Sequence, residues 1–71
     1  MATNVTAPIP GKILAVKVEP GKQVKKGDLL ITLEAMKMEN YIEAPVDGVV
    51  KDVKVKPGDT VKAGDILVII E

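Results

Sequence analysis

The chain repeats itself. Residues 7–34 align with residues 44–71 at a constant offset of 37, without a gap. Ala7-Pro8 matches Ala44-Pro45, Gly11 matches Gly48, and Val16-Lys17-Val18 matches Val53-Lys54-Val55. Pro20-Gly21, Val24-Lys25, Gly27-Asp28, Leu30 and Glu34 recur as Pro57-Gly58, Val61-Lys62, Gly64-Asp65, Leu67 and Glu71. These 14 identities in 28 aligned positions require a fold built from two like halves. The segment from Ala35 to Glu43 lies outside the repeat, and it carries a lysine between two methionines, Met36-Lys37-Met38. What a structural repeat leaves unexplained is where a specific function is expected.

Each half reads as short strands between turns. Valines flanking Lys17 and Lys54 alternate as in half-buried strands with lysines facing water. Pro20-Gly21 and Pro57-Gly58 fit type II turns, with Pro presetting φ and Gly accepting the positive φ that follows. Gly27-Asp28 and Gly64-Asp65 mark a second turn in each half. The runs Leu29 to Leu33 and Ile66 to Ile70 fit strands covered on both faces, and their length and β-branched content favour strand over buried helix. Ala7-Pro8 and Ala44-Pro45 suit strand edges or bends, because Pro gives no ladder donor. The expected fold is all-β: a small sandwich or flattened barrel with pseudo-two-fold symmetry. The hairpin carrying Lys37 is expected at the pole opposite the chain ends, with a tight turn centred on Met36-Lys37. Met1 to Thr6 is short and polar and reads as a bare chain start or the end of a linker.

Composition narrows function by exclusion. The chain has no His, Cys, Ser, Arg, Trp or Phe. Ser–His and Cys–His nucleophile pairs cannot be built, so catalytic residues and a metal site are not expected. Ten Lys balance ten Asp plus Glu and alternate with them, so the basic face and aromatic platforms of a nucleic-acid binder are missing. No stretch approaches the roughly 20 apolar residues of a membrane span. A chain of 71 residues makes one small domain, here expected over residues 1–71, and one of this size buries only about 60% of its unfolded surface.

Ten lysines make any single one unremarkable, and surface solvation accounts for Lys17, Lys25, Lys54 and Lys62. Lys37 differs by its neighbours. Two methionines at a hairpin tip gain nothing from water, and methionine recurs at surfaces that partners grip.

The run Glu34-Ala35-Met36-Lys37-Met38-Glu39 resembles the attachment motif of biotinyl domains, whose core is Ala-Met-Lys-Met. Ala44-Pro45-x-Asp47-Gly48, Pro57-Gly58-Asp59 and Gly64-Asp65 are similar to that family too, and the likeness runs from about Val5 to Glu71. The resemblance implies a flattened barrel of two four-stranded antiparallel sheets. It implies biotin attached covalently to Lys37, with Met36 and Met38 as motif partners and Ala35 and Glu39 serving recognition by a biotin protein ligase. In that family the lysine amine attacks biotinyl-adenylate, and the biotin then carries CO2 as carboxybiotin between carboxylase or decarboxylase and carboxyltransferase sites. The domain itself would be a non-catalytic carrier, monomeric in isolation and cytoplasmic, or part of a membrane-associated decarboxylase complex without inserting directly. Pro20 to Gly27 is as long as Pro57 to Gly64, so the protruding segment of bacterial acetyl-CoA carboxylase carriers is missing. Their motif also commonly reads Met-Lys-Met-Met. This chain, with Glu39 there, looks more like carriers of pyruvate carboxylase, transcarboxylase and biotin-dependent decarboxylases.

Two other readings compete. A lipoyl carrier of a 2-oxoacid dehydrogenase or glycine cleavage system shares the fold, but the paired methionines argue against it. A periplasmic adaptor barrel would need a long helical hairpin between its halves, and the nine residues from Ala35 to Glu43 leave no room for one.

Overall fold

A computed structural model describes residues 2–71. Its strands are β1 (Thr3–Thr6), β2 (Gly11–Val16), β3 (Gln23–Val24), β4 (Leu29–Ala35), β5 (Met38–Glu43), β6 (Gly48–Val53), β7 (Thr60–Val61) and β8 (Ile66–Ile70). They form two four-stranded antiparallel sheets, ordered β1-β8-β6-β3 and β5-β4-β2-β7. The expectation of a flattened all-β sandwich of two such sheets is met.

The sheets close over one aliphatic core. Ile13, Leu30, Ile31, Leu33, Val50, Leu67, Val68 and Ile70 are at most 1% exposed. Fifteen buried residues from both sheets and their connections make a single cluster, with Val16, Val53 and Val55 half-buried against it. The halves therefore share one interior, and neither has a core of its own.

The repeat is written into the geometry. β2 and β6 show the same burial pattern, with Ile13 and Val50 buried between exposed neighbours. A bulge between Ile13 and Ala15 recurs between Val50 and Asp52, 37 residues on. Such bulges sharpen strand twist and help sheets curl. Lys22 N–H donates to the Glu19 carbonyl and Asp59 N–H to the Lys56 carbonyl, each at 3.1 Å. With Gly21 at φ 94° and Gly58 at φ 96°, both turns are type II, as their Pro-Gly pairs predict.

Two expectations need correction. Val16-Lys17-Val18 and Val53-Lys54-Val55 do not centre strands; β2 and β6 end at the first valine of each triplet. The alternation persists because Lys17 N–H still bonds the Leu30 carbonyl and Lys54 N–H the Leu67 carbonyl, both at 2.8 Å, as the chain leaves its sheet. Nor is the stretch ending at Thr6 linker-like: β1 pairs with β8, Thr3 opposite Ile70 and Val5 opposite Val68. Its core contact is Val5 alone, one apolar side chain in a polar run, too little to register as a pattern. β1 is also the 37-residue counterpart of β5. Val5 and Ile42 are buried at equivalent positions, 6% and 8% exposed. The repeat thus continues structurally into β5, and what it leaves over is the turn at Met36-Lys37.

Connectivity places that turn. Gly11, at the start of β2, lies against the end of β4. Four residues earlier, Ala7 exchanges hydrogen bonds with Gly64 and Asp65, where β8 sets out. β8 then runs five residues away from this pole, to pair Ile70 with Thr3. The hairpin and the chain ends therefore occupy opposite poles, as the symmetry predicts.

Candidate functional site

β4 and β5 form a hairpin whose last pair is Ala35 opposite Met38, leaving a two-residue loop of Met36 and Lys37. A loop this short between twisted strands takes a primed turn, which demands positive φ at both central positions. Met36 has φ 56° and Lys37 φ 61°, so the turn is type I′. Asn-Gly normally fills such a turn. For residues with a Cβ the left-handed conformation costs roughly 1–2 kcal/mol each. Six residue pairs along the β4–β5 ladder hold the hairpin in this register.

The turn presents its side chains. Met36 is 86% exposed and Met38 66%. Exposure does not distinguish Lys37, because all ten lysines are exposed. Its backbone does: among the described residues, Met36 and Lys37 are the non-glycine residues with positive φ. The ion pairs found among the described residues, Lys51–Glu71, Lys54–Asp52 and Lys56–Asp59, leave Lys37 aside. An open surface groove of about 500 Å³, lined by Lys54, Val55, Asp59, Thr60, Val61, Asp65 and Ile66, includes no residue of the turn. Asp52 is ion-paired with Lys54. The hydrogen bond from Lys54 and the charge of that ammonium, 2.8 Å away, hold it below the usual aspartate range.

The neighbouring motif residues divide. Glu39 is exposed, and Tyr41, itself 61% exposed, donates its hydroxyl to Glu39 Oε1 at 3.4 Å. Asn40 Nδ2 donates to the Met38 carbonyl at 3.3 Å. Ala35 does not stand beside them. Its side chain is 6% exposed and turned toward Gly11. Lys37, Met36, Met38 and Glu39 thus share one exposed tip, while Ala35 lies beneath it. Sequence reading placed Glu34 at the head of the motif run but did not single out Gly11 as part of this site. Gly11 comes to it by pairing across the sheet, Lys12 with Glu34, which no local pattern encodes.

A sequence family described as "Biotin-requiring enzyme" matches residues 3–70. The chain belongs to this family. Within it, the chain is 58% identical over 41 residues to the glutaconyl-CoA decarboxylase gamma subunit of Acidaminococcus fermentans, covering 58% of this chain and 28% of that one. It is 61% identical over 41 residues to the methylmalonyl-CoA decarboxylase gamma subunit of Veillonella parvula, covering 58% and 32%. The biotin-requiring-enzyme chain thus matches about a third or less of these relatives' length. Among solved structures, the Kluyveromyces lactis urea carboxylase superposes with a TM-score of 0.94 at 32% identity, over 100% of this chain and 6% of that one. A single-chain, multi-domain long-chain acyl-CoA carboxylase gives 0.89 at 34% identity, over 96% and 7%. This member of the family is a biotin carboxyl carrier domain of the biotin-dependent carboxylase and decarboxylase group.

Proposed function

We propose that residues 1–71 form a single attachment domain and that Lys37 is the residue that carries its biotin. The observation behind this reading is the type I′ turn, which lifts one lysine of ten onto an exposed tip between two exposed methionines. The residues at the tip fit the group: a primary amine free of ion pairs among the described residues can form an amide with the biotin carboxyl. Bound there, biotin supplies carboxyl-group carriage between two enzyme sites.

The chain's own part is placement. The Lys37 side chain gives reach, and Met36 and Met38 give an apolar collar that a partner site can cover. Glu39, held by Tyr41, offers a carboxylate to a biotin protein ligase. Ala35 serves that recognition from below, through the packing of the hairpin base. The domain is a non-catalytic monomer, consistent with the lack of His, Cys, Ser and Arg. Its later partners are biotin carboxylase or decarboxylase and carboxyltransferase units, in line with the decarboxylase gamma subunits it resembles. A tethered carrier meets them at an effective concentration on the order of millimolar. Among the described residues, no helix is long and apolar enough to cross a membrane. The working location in this reading is the cytoplasm, free or as part of a membrane-associated decarboxylase complex.

Coexpression with a biotin protein ligase tests the assignment. Mass spectrometry should find one biotinyl group, and Lys37→Arg should abolish it. Biotin on another lysine of that mutant would overturn the site.

A further inference from the structure

We propose that Gly11, 26 residues before Lys37, is a positioning residue for the modification of that lysine. The inference rests on Lys37 being the attachment site. A Cβ on Gly11 would overlap the Glu34 carbonyl oxygen and stand 3.0 Å from Leu33 Cδ1 and 3.2 Å from Ala35 Cβ. Leu33, Glu34 and Ala35 are the last three residues of β4 before the turn. Two of the three obstacles are a backbone oxygen and a Cβ, which cannot swing aside as a long side chain can, so relief requires a backbone to move.

β2 is bonded along its far edge as well. Gly11 and Lys12 pair with Val61 and Thr60 of β7, Ile13 N–H donates to the Asp59 carbonyl, and Gly58 N–H donates to the Ile13 carbonyl, both at 2.8 Å. On the other side of the contact, β4 passes directly from Ala35 into the Met36-Lys37 turn, with only the edge strand β5 beyond it, so any shift of its last residues is carried to the tip. The missing side chain at Gly11 therefore sets the height and direction of the Met36-Lys37 tip. Misplacing a nucleophile by about 1 Å can cost on the order of a hundredfold in rate.

The repeat supplies a control inside the same molecule. Gly48 makes the equivalent approach at the opposite pole, where a Cβ would stand 2.6 Å from Ile70 Cγ2 and 2.7 Å from the Glu71 carbonyl oxygen. Gly48→Ala shares the packing cost of Gly11→Ala but leaves the hairpin alone.

The test compares wild type, Gly11→Ala and Gly48→Ala of the 71-residue chain in steady-state biotinylation by a biotin protein ligase, beside thermal melts and amide NMR shifts. Both variants should melt at lower temperature. Gly11→Ala alone should lower kcat tenfold or more and move the amide signals of Met36 to Met38. Gly48→Ala should keep kcat within twofold of wild type and leave those signals in place. Should Gly11→Ala not fold, Ala35→Val crowds the same contact from the hairpin side and should give the same kcat loss. Equal kcat for Gly11→Ala and Gly48→Ala, or unmoved hairpin signals in Gly11→Ala, would overturn the positioning role. A wild-type chain that takes no biotin would instead sink the attachment reading.

Discussion

Glu34 and Glu39 stand directly opposite each other across the β4–β5 ladder, one pair below the turn that carries Lys37. Like charges in facing positions destabilise a sheet, and opposite charges there stabilise it by roughly 0.2–1 kcal/mol. Glu39→Lys should therefore raise the denaturant midpoint modestly. The same change should slow biotinylation, because it reverses the charge offered to the ligase. A variant both more stable and modified as fast as wild type would remove Glu39 from recognition.

The strained turn should trade stability for presentation. Replacing Met36 by Asn and Lys37 by Gly installs the residues a type I′ turn prefers. Relief of two left-handed residues should stabilise the domain by about 1–3 kcal/mol, read by urea denaturation. The variant should accept no biotin at all. A double variant no more stable than wild type would show that the ladder absorbs the turn without strain.

Position along the hairpin should govern modification. Exchanging Lys37 with Met38 moves the lysine from the turn onto the first residue of β5. A one-residue step along a strand turns a side chain to the other face. Biotinylation should fall by orders of magnitude while the melt stays close to wild type. Equal labelling of native and exchanged hairpins would show that the ligase reads something other than position.

The core, and not the lysine, should hold the fold. Lys37→Ala should change stability within about 0.5 kcal/mol, as at surface sites free of special contacts. Ile13→Ala, at a fully buried site, should cost about 2–5 kcal/mol. Val50→Ala, its repeat counterpart, should cost about 1.5–3 kcal/mol. Val16→Ala and Val53→Ala, half-buried, should each cost about 1 kcal/mol and differ little from one another. Chemical denaturation of the apo chain measures all five. A Lys37→Ala loss equal to that of Val53→Ala would make the lysine structural.

Much of the architecture is legible in the sequence. The 37-residue offset, the Pro-Gly turns and the apolar runs are local signals, since each depends on residues a few positions apart. They set an all-β fold of two like halves with Lys37 at the pole away from the chain ends. β1 escaped this reading because one buried valine among polar neighbours forms no pattern; its place comes from pairing with β8, more than sixty residues away. The strand ends at Val16 and Val53 escaped it because alternation continues beyond the ladder, through bonds to Leu30 and Leu67.

At the site the division is sharper. The sequence alone determined which side chains are at the tip: a lysine, two methionines and a glutamate in one short run. Only the tertiary structure decided how they are held. The loop length left by the Ala35–Met38 pair forces positive φ on Met36 and Lys37. The closeness of β2 to β4 leaves no room for a Cβ at position 11 beneath them unless a backbone shifts. The first is the geometry of a hairpin closed between near neighbours in the chain, while the second joins residues more than twenty positions apart and exists only once β2 has paired with β4.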